Sequence, residues 1–112
     1  MEGLNVTIEL EHQQVVVRPC GELDLASAGL MERALDQALS PPAVCLLELD
    51  MSRVPFIDCS GLRVLIAAKE RLAKEGGTLV LSDVTPRVER LLSILCLDHR
   101  LNPIQVDHRS LS

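Results

Sequence analysis

The sequence predicts an α/β fold: a single domain with a mixed β-sheet whose later strands are parallel, and with helices packed against that sheet. Three observations support it: an initial strand pair, the alternation of helices and strands that follows, and a nearly continuous apolar run over residues 44–49. Such a run is typical of a central strand covered on both faces. With 112 residues, 47% of them apolar, the chain can bury one core. We expect one domain over residues 1–112, with a core from about residue 5 to about residue 107 and a polar C-terminal tail.

The first third of the chain predicts two strands and a helix. Residues 6–11 alternate apolar and polar side chains, residues 14–18 contain three consecutive valines, and His12-Gln13 suits a turn between them. This pattern indicates a hairpin or two neighbouring strands. Residues 27–39 then predict a helix with Ser27 as N-cap, ended by Pro41-Pro42. Its apolar face consists of Leu30 or Met31, with Ala34, Leu35 and Ala38.

The remainder predicts two more helices, each followed by a strand. Residues 61–74 form the clearest helix, ended by Gly76-Gly77 and followed by a strand over residues 78–81. Thr85 as N-cap and Pro86 at the first helical position predict the next helix, and residues 102–106 predict a last strand. The helical apolar positions are Leu62, Leu65, Ile66, Ala68 and Leu72 in one helix and Val88, Leu91, Leu92 and Leu95 in the other.

The sequence argues against direct nucleic-acid binding and against membrane insertion. Sixteen acidic residues against eleven basic ones give a net charge of −5, and Phe56 is the single aromatic residue. No apolar run approaches the roughly 20 residues that span a bilayer, and residues 1–5 lack the features of a signal peptide. We expect a cytoplasmic protein that neither inserts into membranes nor binds DNA or RNA directly.

The cysteines and histidines do not predict a metal or a cofactor. Cys20, Cys45 and Cys96 lie among apolar neighbours without a C-x-x-C pair, so we interpret them as small core residues. His12, His99 and His108 are scattered without ligand spacing and are interpreted as surface residues. No Walker-type glycine loop is present, so any ATP is expected to come with a partner.

A polar turn stands between an apolar strand and the clearest helix. Asp58, Cys59 and Ser60 lie at the helix N-terminus, where unpaired N–H groups and the macrodipole favour negative charge. The structural interpretation is that Asp58 or Ser60 caps the helix while Gly61 allows a tight turn. The functional interpretation is that the turn is presented for recognition.

Two motifs carry a family resemblance: "GELDLASAGLMERAL" from Gly21 and "LDMSRVPFIDCSGLRVL" from Leu49. They resemble the STAS-domain anti-sigma factor antagonists, also called anti-anti-sigma factors, and the order of elements agrees along nearly the whole chain. The resemblance implies a STAS-like domain that regulates bacterial transcription, for example in stress responses. It also implies a partner, an anti-sigma factor that is usually an ATP-dependent serine kinase. The unmodified antagonist binds this partner and frees a sigma factor, and phosphorylation abolishes the binding.

The resemblance also implies a partner-binding surface around the polar turn. Asp24 takes a position that faces the partner, although Glu22 and Asp24 equally fit solvated loop carboxylates. The expected partner-binding residues are Glu22, Asp24, Asp58, Cys59, Ser60, Gly61 and Arg63.

Cys59 departs from the family pattern, because serine or threonine is the phosphoacceptor directly after the motif aspartate. Three alternatives follow. Ser60 accepts phosphate instead, or the protein has no phosphorylation switch and binds constitutively, or Cys59 is a redox switch. A helix N-terminus favours the reactive thiolate, whereas the adjacent Asp58 opposes it.

Two other functional classes remain open. The chain is alternatively a STAS interaction module of another stress-signalling or transporter complex, because a fold does not name its partner. It is alternatively a thiol sensor, or an enzyme that uses Cys59, although no histidine lies near Cys59 in sequence to act as its base. We expect no catalysis, and a homodimer is left open.

Overall fold

The protein folds as a five-stranded mixed β-sheet with three helices, which confirms the predicted fold class. The computed structural model describes residues 3–41, 44–95 and 105–107. Strand order is β1-β2-β3-β4-β5; β1 and β2 are antiparallel and the later neighbours are parallel. The strands are β1 (Asn5–Glu11), β2 (Gln14–Cys20), β3 (Leu46–Asp50), β4 (Thr78–Ser82) and β5 (Gln105–Asp107). The helices are α1 (Ala28–Ala38), α2 (Cys59–Lys74) and α3 (Pro86–Leu95).

The hydrophobic core lies against one face of the sheet. β3 is the central strand, as predicted, and Leu47 and Leu49 are fully buried. The expectation that β3 is covered on both faces holds fully for one face, because Glu48 and Asp50 on the second face are only half-buried. The fully buried core residues of the three inner strands are Val15, Val17, Leu47, Leu49, Leu79 and Leu81.

A network of polar side chains covers part of the second face. Arg18 donates to Glu9 at 2.6 Å and lies 3.5 Å from Asp50. The hydrogen bond to Glu9 raises the pKa of the Arg18 guanidinium, so this side chain stays charged. Ser82 donates to Glu48 at 2.7 Å. Each charged side chain of this network therefore has a partner within the same chain.

The helix boundaries follow from local capping. α2 begins at Cys59, two residues before the predicted start at residue 61, because Asp58 is its N-cap. It ends in a Schellman motif, with Gly76 at φ +81° and the Gly77 N–H donating to Leu72 O at 2.8 Å. This confirms Gly76-Gly77 as the helix stop.

The predicted start of α3 is also confirmed. Thr85 accepts a hydrogen bond from the Val88 N–H at 3.3 Å, and Pro86 is the first helical residue. Val88 and Leu92 of the predicted stripe are buried. Of the predicted last strand, residues 102–104 lie outside the described residues.

The cysteine interpretation is wrong for two residues. Cys20 and Cys45 are exposed, whereas Cys96 lies outside the described residues. Cys20 is the last residue of β2 and points away from the face that buries Val15 and Val17, because side chains alternate along a strand. Cys45 precedes β3 and contacts Gln13 Oε1 at 3.5 Å. Within residues 3–41, 44–95 and 105–107, no helix is long and apolar enough to cross a bilayer.

Candidate functional site

The candidate site is built from two chain segments that run side by side: the β2–α1 loop, residues 21–27, and the segment from residue 53 to the first turn of α2. Leu23 forms a parallel bridge with Ile57, and both side chains are buried. The Leu23 N–H donates to Phe56 O at 3.0 Å, and the Asp58 N–H donates to Leu23 O at 3.1 Å. The two segments are therefore held by backbone hydrogen bonds above a buried apolar pair.

The carboxylate of Asp58 links the two segments through hydrogen bonds. Its Oδ1 accepts from the Gly61 N–H at 3.0 Å, and its Oδ2 accepts from the Leu25 N–H at 3.2 Å. The first bond is an N-cap, which satisfies one of the unpaired donors of α2. The second reaches a loop 33 residues earlier in the chain. Both carboxylate oxygens are thus engaged, and Asp58 positions the surface around it.

Gly61 fits closely against the backbone of Leu23. A Cβ at this position would collide with the Leu23 carbonyl oxygen and lie 2.9 Å from the carbonyl carbon. Glycine is therefore required by the close approach of two backbones. Since Gly61 is buried, it shapes the expected binding surface from beneath.

Asp24 and Ser27 exchange hydrogen bonds in the turn that leads into α1. The Ser27 N–H donates to Asp24 Oδ1 at 3.1 Å, and the Asp24 N–H donates to Ser27 Oγ at 3.0 Å. Ser27 is the N-cap residue, as predicted, but its side chain makes no cap bond to α1. Its hydroxyl instead donates to Glu22 O at 2.7 Å. The carboxylate of Asp24 is thereby held within its own loop.

Cys59 and Ser60 occupy the first turn of α2. Cys59 is exposed and Ser60 is half-buried. Within the described part of the chain, neither side chain has a hydrogen-bond partner. Arg63, one turn further on the same side of α2, is exposed as well. The turn therefore presents a thiol and a guanidinium to solvent, with a hydroxyl beside them.

An exposed leucine adjoins this turn, and the sequence reasoning missed it. Leu25, whose N–H is bound by Asp58, is 78% exposed. Leu30 on α1, which is 39% exposed, lines a groove together with Glu22 and Asp24. Met31 is the member of the Leu30/Met31 alternative that is buried. The available signal was an apolar Leu25 between Asp24 and Ala26, outside the helical stripe. Exposed apolar side chains beside a polar rim are typical of protein-binding surfaces.

The sequence-predicted site residues thus fall into two groups. Asp24, Asp58 and Gly61 hold the two segments in place, whereas Glu22, Cys59 and Arg63 face solvent and Ser60 is half-buried beside them. The part of the structure that is described contains no cluster of three or more metal-ligating side chains.

Comparison with known proteins identifies the family. The profile of the STAS domain matches residues 5–110. The chain belongs to the STAS domain family. Its sequence is 31% identical over 93 residues to the anti-sigma F factor antagonist of Paenibacillus polymyxa, covering 81% of this chain and 80% of that protein.

Solved structures agree with this STAS assignment. An anti-sigma factor antagonist from Mycobacterium paratuberculosis matches with a TM-score of 0.73 at 28% identity, covering 92% of this chain and 86% of that one. The Bacillus cell fate determinant SpoIIAA in its phosphorylated form matches with a TM-score of 0.67 at 20% identity, covering 94% and 93%. At 20% identity, the second likeness shows the fold alone. Both likenesses agree with the sheet and the helices described above.

Proposed function

We propose that this STAS domain is an anti-sigma factor antagonist that acts by binding in the cytoplasm, without catalysis. It docks on an anti-sigma factor through the surface around the Asp58-Cys59-Ser60 turn and thereby frees a sigma factor for transcription. The observation that carries the proposal is the exposed Leu25 fastened to the α2 turn by Asp58. The relationship to the Paenibacillus polymyxa antagonist supplies the class of partner. We further propose that this partner is an ATP-dependent serine kinase, as the family resemblance implies.

The proposed surface has an apolar centre and a charged rim. Leu25 and Leu30 supply the apolar area, and burial of such side chains at an interface excludes water. Arg63 and Glu22 at the edge supply charges of opposite sign, which contribute more to the orientation of a partner than to its affinity. Because the Asp58 and Asp24 hydrogen bonds fix the loop before binding, little conformational entropy is lost on docking.

Leu25→Asp tests the surface. We expect the affinity for the cognate anti-sigma factor to fall by about tenfold or more, because a charge would replace an apolar contact in a desolvated interface. Isothermal titration calorimetry measures the affinity. The matched control is Ile94→Asp on α3, since Ile94 is 57% exposed and lies outside the proposed surface. Equal losses for the two variants, or none for Leu25→Asp, would place the interface elsewhere.

We propose that the antagonist binds constitutively, without the usual phosphorylation switch. Cys59 carries a thiol where a hydroxyl would accept phosphate, and the neighbouring Ser60 is half-buried. A phosphoryl group adds about −1.5 to −2 charge units, which would disrupt an apolar contact by desolvation and repulsion. Without an acceptor at position 59, the partner's kinase activity leaves the surface unchanged.

Phosphate incorporation tests this proposal. After incubation with the partner kinase and ATP, we expect no phosphate on the wild-type protein and about one per chain on Cys59→Ser, with loss of binding for that variant. Intact-mass spectrometry measures the phosphate on the wild-type protein and on the variant, and isothermal titration calorimetry measures the binding. Cys59→Ala serves as the control that removes the thiol without adding a hydroxyl. Phosphate on Ser60 of the wild type would instead assign the switch to Ser60. Loss of binding after peroxide treatment, prevented by Cys59→Ala, would assign a redox switch to Cys59.

A further inference from the structure

The outer edge of the sheet at β1 carries backbone groups that the described fold leaves unpaired. β1 is the first strand in the sheet order, and among the described residues only β2 pairs with it. The hairpin turn is His12-Gln13, so Glu11 and Gln14 are the closing pair, which exchanges backbone hydrogen bonds in a two-residue hairpin. Every second residue from Glu11 therefore bonds to β2, and the residues between direct their N–H and C=O groups outward.

Those outward-directed residues are Val6, Ile8 and Leu10. Pro19 supports the assignment independently: it lies opposite Val6, and a proline without an N–H fits only a pair that makes no hydrogen bond. The side chains of Val6 and Ile8 pack against the hydrophobic core, while Leu10 is 54% exposed. Among the described residues, this edge thus combines unpaired backbone donors and acceptors with a row of apolar side chains.

Edge strands are normally kept apart by charge, and β1 carries Glu9 and Glu11. Arg18 donates to Glu9 at 2.6 Å within the same chain, but both side chains are exposed, so solvent screens this pair and Glu9 still repels another carboxylate. The register between the β1 strands of two copies then decides whether they can associate, because like charges directly opposite each other are destabilising.

We propose that this edge binds a second copy of the chain, with the two β1 strands antiparallel about a two-fold axis at Ile8. This is the one register that pairs every residue of β1. It places outward-directed backbone groups opposite outward-directed ones, and it puts neither glutamate opposite a glutamate. The resulting pairs are Ile8 with Ile8, Val6 with Leu10, Thr7 with Glu9 and Asn5 with Glu11, in each case with one member from each copy.

The dimer continues the sheet from one copy into the other. The apolar row of β1 lies on the core face of its own sheet, so the rows of the two copies meet across the axis and cover the exposed Leu10. A surface used in this way is isologous, because the same strand contributes both halves. The inference does not depend on the identity of the anti-sigma factor.

Charge variants at Thr7 test both the dimer and its register. Thr7 lies opposite Arg18 within its own chain in the monomer and the dimer alike, so that contact largely cancels in the association constant. Thr7→Glu would in addition face Glu9 of the other copy and weaken dimerisation by about threefold to tenfold, whereas Thr7→Lys would strengthen it by a similar factor. Both differences are expected to shrink at high salt. Sedimentation equilibrium with interference optics measures the association constant, since the chain has no Trp or Tyr. Ser93→Glu and Ser93→Lys, on an exposed position of α3, are the matched controls and are expected to change nothing.

Ile8→Pro gives a second readout. It removes an outward N–H that the β1–β2 pairing does not use, so circular dichroism is expected to stay the same while the dimer is lost. If that variant unfolds, the Thr7 pair still decides the matter. A wild-type chain that stays monomeric up to about 1 mM, or a dimer that responds equally to Thr7→Glu and Thr7→Lys, overturns the proposal.

Discussion

Gly61→Ala is expected to lower the free energy of unfolding by about 3 kcal/mol. The added Cβ would meet the backbone of Leu23, 2.9 Å from its carbonyl carbon, and a backbone cannot move aside as a flexible side chain can. Relief requires α2 to separate from the β2–α1 loop, which breaks the bond from the Asp58 N–H to Leu23 O. Urea unfolding followed by circular dichroism measures the change, because the chain contains no Trp or Tyr.

Gly29→Ala is the matched control. Gly29 lies in α1, and the nearest atom to an added Cβ would be Arg33 Nη1 at 3.7 Å, an ordinary contact. We expect a stabilisation of about 0.5–1 kcal/mol, because alanine is a better helix former than glycine and lowers the conformational entropy of the unfolded chain. If Gly61→Ala costs no more than the control, the two backbones do not approach as closely as described.

Asp58→Ala is expected to lower the free energy of unfolding by about 2 kcal/mol. It removes two hydrogen bonds at once, from the Gly61 N–H and from the Leu25 N–H. Loss of the second bond also frees the loop that carries Leu25, so the affinity for the anti-sigma factor should fall although Asp58 itself is occupied within the chain. Urea unfolding and calorimetric titration measure the two effects separately.

Two variants control for charge and for the cap. Asp58→Asn keeps an acceptor oxygen for the N-cap bond, so it should cost less than Asp58→Ala. Asp36→Ala removes a carboxylate that is 62% exposed and, among the described residues, is paired only with Arg71, so it should change stability by no more than about 0.5 kcal/mol. Equal losses for Asp36→Ala and Asp58→Ala would show that removal of negative charge, and not loss of the two bonds, sets the cost.

Most of the fold followed from local patterns in the sequence. Alternation in residues 6–11 and 14–18, the Thr85-Pro86 start and the Gly76-Gly77 stop each depend on neighbours in the chain, and the structure has them where they were predicted. The errors also have local causes. Ser27 is the N-cap residue of α1, but its side chain bonds to the Asp24 N–H and to Glu22 O instead of capping the helix. Cys45 was assigned to the core from apolar neighbours, although it lies just before the strand.

The candidate site was harder to predict because its decisive contacts join distant parts of the chain. The motif pointed to Asp58, Cys59 and Ser60, but nothing near Asp58 in sequence indicates that its second oxygen binds the Leu25 N–H. The same holds for Gly61, whose requirement arises from the Leu23 backbone. Hydrophobic periodicity also gives no indication of Leu25, because an apolar side chain outside the apolar stripe of a helix carries no secondary-structure signal.

The parallel bridge between Leu23 and Ile57 has a consequence for the order of events during protein synthesis. The β2–α1 loop is synthesised before the start of α2. The loop therefore lacks its hydrogen-bond partners until the start of α2 has left the exit tunnel of the ribosome. On the proposed function, a nascent chain that ends before α2 lacks half of the binding surface, so partner binding has to wait until both segments have been synthesised.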